Sequence, residues 1–183
     1  MEEYAWVIDY LPQGRAAESR REPVVQMLGH QFFTLLEATV KAEAQISIGQ
    51  KVYIGKDQRN EIERIKGKLS FTQLTQNAKD NLVTVLKSIV LEREADFISF
   101  MNKAAPISMR VHQLELLPGV GKKHLVALLT EREKKPFENF ADLKARIHSI
   151  PDPAILFVHR ILNELEGKEK HYLFLQPFSM RSF

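Results

Sequence analysis

Residues 114–125 read Leu-Glu-Leu-Leu-Pro-Gly-Val-Gly-Lys-Lys-His-Leu. A Pro-Gly-Val-Gly step between two leucine-rich segments ends one helical pattern and starts another. Gly119 and Gly121 are expected to take positive φ angles that other residues reach only at a cost. Successive backbone N–H groups in such a turn can point the same way and cradle an anion. A helix starting at Lys122 adds unsatisfied N–H groups and the positive end of its dipole. With no side chain on either glycine, a phosphate oxygen can approach the backbone of Gly119, Val120 and Gly121. Lys122 and Lys123 add charge at the same end, and Val120 anchors the turn in the core. His112 and His124 flank the turn and can donate to phosphate. Such a site contacts the backbone of a polynucleotide rather than its bases. Gly-x-Gly alone fits a plain tight turn between packed helices equally well. The preceding proline, the two lysines and the second helical hairpin downstream favour the phosphate reading.

Around this turn the pattern is helical. Ser108 is a suitable N-cap for a helix over 109–117. The helix from Lys122 must stop before Pro136. Asn139 with Asp142 three residues later resembles a capping box for a third helix, Phe140 to about His148. Residues 149–153 turn the chain again. Asp152 followed by Pro153 starts a fourth helix that ends near Glu166, with Gly167 in the left-handed closing position. The tail from His171 to Phe178 alternates and is predicted as a strand. Upstream, Ala78, Leu82, Val85, Leu86, Ile89 and Val90 form one apolar stripe at helical spacing, continued by Phe97, Ile98 and Met101 up to Pro106.

The first 72 residues alternate instead. Tyr4, Trp6, Ile8 and Tyr10 gather on one face of a first strand, a pattern that predicts burial. Further strands are predicted at 24–28, 32–40, 51–54 and 62–69, with a hairpin turn at 55–60. Five short strands suggest a small closed or half-open barrel, since closure removes exposed edges. Their number and length match OB-like and SH3-like barrels alike. Between the first two strands lies an apolar-poor loop carrying Arg15, Arg20 and Arg21, a candidate contact for a polyanion. The aromatic side chains of this region are expected mostly inside.

The chain has 183 residues, 44% hydrophobic and 27% charged, with a formal net charge of +3 and no cysteine. That profile is of a globular protein, and it excludes disulfide frameworks and thiolate chemistry. With no signal-peptide pattern at the start and no apolar run long enough to span a membrane, the expectation is a cytoplasmic protein without membrane contact. The basic excess lies wholly in residues 106–183, with twelve basic and nine acidic side chains and five of the six histidines. His112, His124, His148, His159 and His171 lack the spacing of a helical metal pair, so no metal site and no cofactor are expected.

The pattern apolar-x-apolar-apolar-Pro-Gly-Val-Gly-Lys-Lys resembles the helix-hairpin-helix of non-specific DNA- and RNA-binding proteins. That family pairs two hairpins to grip a duplex. The second hairpin here has no glycine, and Asp152 would repel phosphate, so it reads as a structural mate. Leu125 stands where the family often has a small residue. In order of parts, with YAWVIDYLP at the start, HQLELLPGVGKKH and PFENFADLKARI, the whole chain resembles the archaeal domain-of-unknown-function family 655 of predicted nucleic-acid-binding proteins. The resemblance implies a role in RNA or translation-related assemblies and supplies no reaction. Base-excision glycosylases also carry the hairpin, with a lysine at the position of Lys123 and an aspartate downstream, here Asp142. The residues that surround that aspartate in the family are absent, so no enzyme is expected.

The sequence thus predicts an α+β chain: an OB-like β-barrel over 1–72, a helical connector over 73–105, a tandem helix-hairpin-helix domain over 106–168, and a tail over 169–183. The expected function is sequence-independent binding of nucleic acid, RNA rather than DNA, with other protein subunits as further partners. A protein-docking helical module is the alternative.

Overall fold

The computed structural model describes residues 1–16 and 21–175. Its elements are β1 (Tyr4–Leu11), β2 (Val24–Gly29), β3 (Leu35–Val40), β4 (Lys51–Tyr53), β5 (Ile62–Lys68), α1 (Gln76–Glu92), α2 (Glu94–Lys103), β6 (Pro106–Ser108), β7 (Val111–His112), α3 (Lys122–Lys134), α4 (Phe140–Arg146) and α5 (Pro153–Leu165). Two single 3₁₀ turns, Phe71–Gln73 and Gln113–Leu116, complete it. The chain forms two compact units, Met1–Val85 with the segment from Asn163 onward, and Leu86–Leu162.

The first unit is built on a curled antiparallel sheet of strand order β4-β1-β2-β3-β5, a half-barrel. β4 and β5 lie at opposite ends of that order, so residues 55–60 link two edges and are not the predicted hairpin. One sheet face carries a continuous apolar cluster that includes Ala5, Val7, Val25, Met27, Ala38 and Val52. The pairing of β1 with β2 shifts between Val7 and Asp9, leaving Ile8 as the extra residue of a β-bulge. A bulge moves every later side chain to the other face. Ala5 and Val7 therefore enter the cluster before the bulge, and Tyr10 packs against it afterwards. This overturns the predicted buried face: Tyr4 and Trp6 lie opposite the cluster, with Tyr4 43% exposed.

Beyond the bulge, cross-strand pairing sets Asp9 opposite Gln26 and Gln26 opposite Glu37. All three are buried, so each needs partners. The start of α1 and the turn before it supply them. Thr75 Oγ1 donates to Asp9 at 2.6 Å, Asn77 Nδ2 donates to Asp9 at 2.8 Å, and the Thr75 amide donates to Gln26 at 3.0 Å. Arg15 Nε donates to Glu37 at 2.7 Å. The third strand starts later than predicted because the Glu2 carboxylate takes the amides of Gln31, Phe32 and Thr34. Phe33 between them adopts φ 54°.

The second unit packs around Phe157, fully buried, with ring centroids of Phe97, Phe140 and Phe100 at 4.7, 5.9 and 6.0 Å. Arg132 closes the end of α2 by donating to the carbonyls of Met101 (3.1 Å) and Ala104 (2.8 Å). Local signals placed α3, α4 and α5 well. Asn139 Oδ1 accepts from the Asp142 amide at 2.7 Å, Asp152 Oδ1 accepts from the Ala154 amide at 3.0 Å, and Gly167 has φ 72°. The helix predicted over 109–117 is absent. Ser108 Oγ accepts from the Arg110 amide at 3.3 Å and turns the chain into the β6–β7 hairpin. Only the 3₁₀ turn follows, with Leu114 and Leu117 buried at its three-residue period. Residues 171–175 form no strand, and 176–178 of the predicted strand lie outside the described residues.

Candidate functional site

The turn at 118–121 joins the 3₁₀ segment to α3. Its two glycines serve different needs. Gly119 has φ 95°, and a Cβ there would meet Leu156 and Pro151 at 3.2 Å. It is glycine for conformation and for packing. Gly121 departs from the expectation of a positive φ. It is extended at φ −89° and ψ −176°, the N-cap of α3, and a Cβ on it would meet nothing within 4 Å. Neither backbone nor neighbours require glycine at 121. What its bareness leaves is open approach to the helix start, with no side-chain oxygen closing the N-terminal amides as a serine or aspartate cap would.

The amide of Val120, predicted as a phosphate donor, instead donates to the carbonyl of Leu117 at 3.0 Å. Val120 is buried, as its anchoring role requires. The first bond inside α3 runs from the Leu125 amide to the Gly121 carbonyl at 2.9 Å. Among the described residues nothing accepts from the amides of Gly121, Lys122 and Lys123. The amides without an acceptor therefore sit one step later than predicted, on the first turn of α3.

Gly119, Gly121, Lys122, Lys123 and His124 border one shallow depression together with Ser149. Lys122 and Lys123 are exposed. His124 Nδ1 lies 3.0 Å from the Gly119 carbonyl oxygen. That bond fixes the ring across the turn and leaves Nε2 for a ligand. Ser149 carries no binding signal in its own stretch of sequence. It lies between α4 and α5, and only tertiary packing brings it to the edge of the same depression.

The other predicted contacts separate from this site. His112 is buried, and its Nδ1 accepts from the Leu114 amide at 3.1 Å, while the Glu115 carboxylate accepts from the His112 amide at 3.0 Å. It caps the 3₁₀ turn and does not face a ligand. Burial, then the Arg132 cation, lowers its pKa, against a smaller opposing pull from Glu115. Arg15 is bound to Glu37 and also donates to the Gln73 carbonyl at 3.2 Å, so it holds the half-barrel together rather than offering itself to a polyanion. Arg21 is exposed. Arg20 lies outside the described residues. Asp142 accepts from the Glu138 amide at 3.1 Å and from Arg146 at 3.3 Å. These bonds, the Glu138 amide first, hold its carboxyl below the usual range.

No group of three or more metal-binding side chains occurs among the described residues. None of the described helices is long and apolar enough to cross a membrane.

Residues 1–176 match the family model described as "Protein of unknown function (DUF655)". The chain is 41% identical over 177 residues to the uncharacterised protein MJ0038 of Methanocaldococcus jannaschii, covering 96% of this chain and 80% of that protein. The crystal structure of Af1531 from Archaeoglobus fulgidus, itself described as a DUF655 protein, superposes with a TM-score of 0.89 at 40% identity. That superposition covers 96% of this chain and all of the other. A match of this extent, in sequence and in fold, makes the chain a member of the DUF655 family.

Proposed function

We propose that this protein binds the sugar-phosphate backbone of nucleic acid without reading sequence, through the first turn of α3. The observation that carries the reading is Gly121, a bare N-cap with ordinary backbone angles and open space where its side chain would be. Three unclaimed amides and the helix dipole meet there, and Lys122, Lys123 and Ser149 border the same depression. The turn and its flanking segments support a helix-hairpin-helix reading with the 3₁₀ turn as a shortened first arm. The strand order β4-β1-β2-β3-β5 supports an OB-like half-barrel. Backbone contacts of this kind serve RNA and DNA alike. The preference for RNA, and membership of a larger assembly, follow from the family resemblance alone. The role is binding rather than catalysis: Asp142, the aspartate an enzyme reading would use, is committed to Glu138 and Arg146.

The test is a titration of labelled single- and double-stranded RNA and DNA at two salt concentrations, with wild type and Gly121→Asp. Affinity is expected to fall steeply with salt and to be lost in the variant while its melting temperature is kept. Salt-insensitive binding, or none, would defeat the reading. The rival, a module that docks a protein, is favoured by the β6–β7 tip, where Met109 is fully exposed and Ile107 is 40% exposed. Binding to a protein partner that survives in high salt would support it.

A further inference from the structure

The depression at the start of α3 is bordered by Gly119, Gly121, Lys122, Lys123, His124 and Ser149, none of them acidic. The backbone amides and the lysine ammonium groups there can only donate hydrogen bonds. His124 differs from them. The Gly119 carbonyl lies 3.0 Å from its Nδ1 and can only accept, so in the neutral ring the single proton sits on Nδ1. Nε2 then carries a bare lone pair. It lies across the ring from Nδ1, away from the Gly119 carbonyl, and among the described residues nothing donates to it.

That lone pair has nothing to offer a phosphate, whose oxygens accept as well. The proton that a phosphate contact would need is the one that Gly119 holds. What Nε2 can meet on a polynucleotide is a donor. The backbone of DNA has none, since its phosphate, ester and sugar-ring oxygens all accept. The backbone of RNA has the ribose 2′-hydroxyl, on the carbon next to the one that bears the 3′-phosphate. A phosphate seated on the amides of the first turn of α3 brings that hydroxyl beside a side chain of the same turn. Base edges also carry N–H donors, but those vary with sequence. The hydroxyl recurs at each nucleotide in a fixed place next to the phosphate.

We infer that His124 makes the α3 site select RNA over DNA, its Nε2 accepting from the 2′-hydroxyl of the ribose that adjoins the bound phosphate. This rests on the reading of α3 as a phosphate-backbone site and names the polymer that site prefers. The division of roles follows from hydrogen-bond polarity. Amides and lysines hold the charge that RNA and DNA share, and one ring nitrogen tests for the hydroxyl that only RNA has.

The experiment measures the anisotropy of labelled single strands at pH 8 and low salt: oligouridylate in its ribo, 2′-deoxy and 2′-fluoro forms. Bases and charge are the same in all three, and fluorine keeps an RNA-like sugar while removing the donor. The proteins are wild type, His124→Phe and Gly121→Asp, each melted alongside. Wild type is expected to bind the ribo strand about fivefold more tightly than either of the others, the worth of one hydrogen bond. His124→Phe keeps a ring and loses both nitrogens. It is expected to bind all three strands equally, because any loosening of the turn weakens the three alike. Gly121→Asp is expected to bind none of them. Equal affinity of wild type for the ribo and 2′-deoxy strands, with binding still lost in Gly121→Asp, overturns this inference and leaves the α3 reading standing. A ribo preference shared by the 2′-fluoro strand, or kept in His124→Phe, does the same, since its source is then shape or another residue. Unchanged binding in Gly121→Asp, or no binding of any strand by wild type, overturns both. The wild-type comparison decides without a variant, so a His124→Phe protein that fails to fold does not stop the test.

Discussion

Nδ1 of His124 and the carbonyl oxygen of Gly119 lie 3.0 Å apart across the Pro-Gly-Val-Gly turn. Only the Nδ1–H form of the ring makes this bond in the neutral state, because the carbonyl can only accept. The contact pins Gly119 in its positive-φ conformation and aligns the first turn of α3 beside it. Replacing His124 by Ala is expected to loosen the turn and weaken polynucleotide binding, with a stability loss of about 1 kcal/mol, one hydrogen bond's worth. Thermal melts alongside the binding titration read both effects.

The two glycines should respond in opposite senses. Gly119→Ala places a Cβ 3.2 Å from Leu156 and Pro151 at φ 95°. It is expected to destabilise by about 1–2 kcal/mol from the left-handed backbone alone. Gly121→Asp meets no neighbour and supplies a favoured N-cap. Its stability is expected to hold or rise by a few tenths of a kcal/mol, roughly the Gly-to-Asp difference at such caps, while affinity collapses. A Gly121→Asp protein that melts like wild type and binds like wild type would sink the α3 cradle.

Lys122 and Lys123 are exposed at that helix start. Replacing each by Ala should leave the melting temperature unchanged. A lysine that neutralises a duplex phosphate adds about 0.9 to the steepness of log affinity against log salt. Its removal should make that line shallower by the same amount. Affinities measured across a salt series give this slope directly. Unchanged slopes in the double variant would mean that neither lysine touches phosphate.

Arg15 and Arg21, grouped as one basic loop by sequence, are expected to part company. Arg15→Ala strips the buried Glu37 carboxylate of its 2.7 Å partner. Lys66 remains at 3.5 Å, so the expected cost is about 1–3 kcal/mol rather than unfolding. Binding by the folded fraction should be unaltered. Arg21→Ala should not change stability. Denaturant melts of the two variants decide this.

His112 predicts a pH dependence. Its pKa is lowered in the folded chain by burial and by Arg132, so the unfolded chain takes up the proton first. The stability tied to neutral His112 is complete above the unfolded value of about 6.5, and it drains as pH falls from there toward the lowered folded value. Protonating Nδ1 also removes the acceptor for the Leu114 amide. The carboxyls of Asp142 and Glu131 are held low by their hydrogen bonds, so their contribution disappears only at more acid pH. His112→Asn keeps a capping acceptor and loses the titration. It should flatten the stability profile below about pH 6.5, the unfolded histidine value. Arg132→Met should move the His112 titration upward in an NMR pH series.

The succession of elements is legible in the chain alone: period-two segments first, then helical ones, with breaks at Pro106, Pro136 and Pro153. So are the caps at Asn139, Asp152 and Gly167 and the start of α3 at Lys122, because these signals act within four residues of the backbone groups they satisfy. Which side chains those elements present was settled by packing. The bulge at Ile8 reversed the faces of β1, a change of pairing with β2 that leaves no mark in the alternation of β1 itself. Arg15 was bound by Glu37, 22 positions away, and Asp9 by Thr75, 66 positions away. The amide of Val120 and the ring of His112 were claimed by neighbours within three residues, yet those claims needed the 3₁₀ turn that replaced the predicted helix. Ser149, between α4 and α5, reached the depression at the start of α3 only through tertiary packing. Local hydrogen-bonding and steric preferences are written along the chain. The partner a charge or a face finally meets depends on which distant segment folds against it.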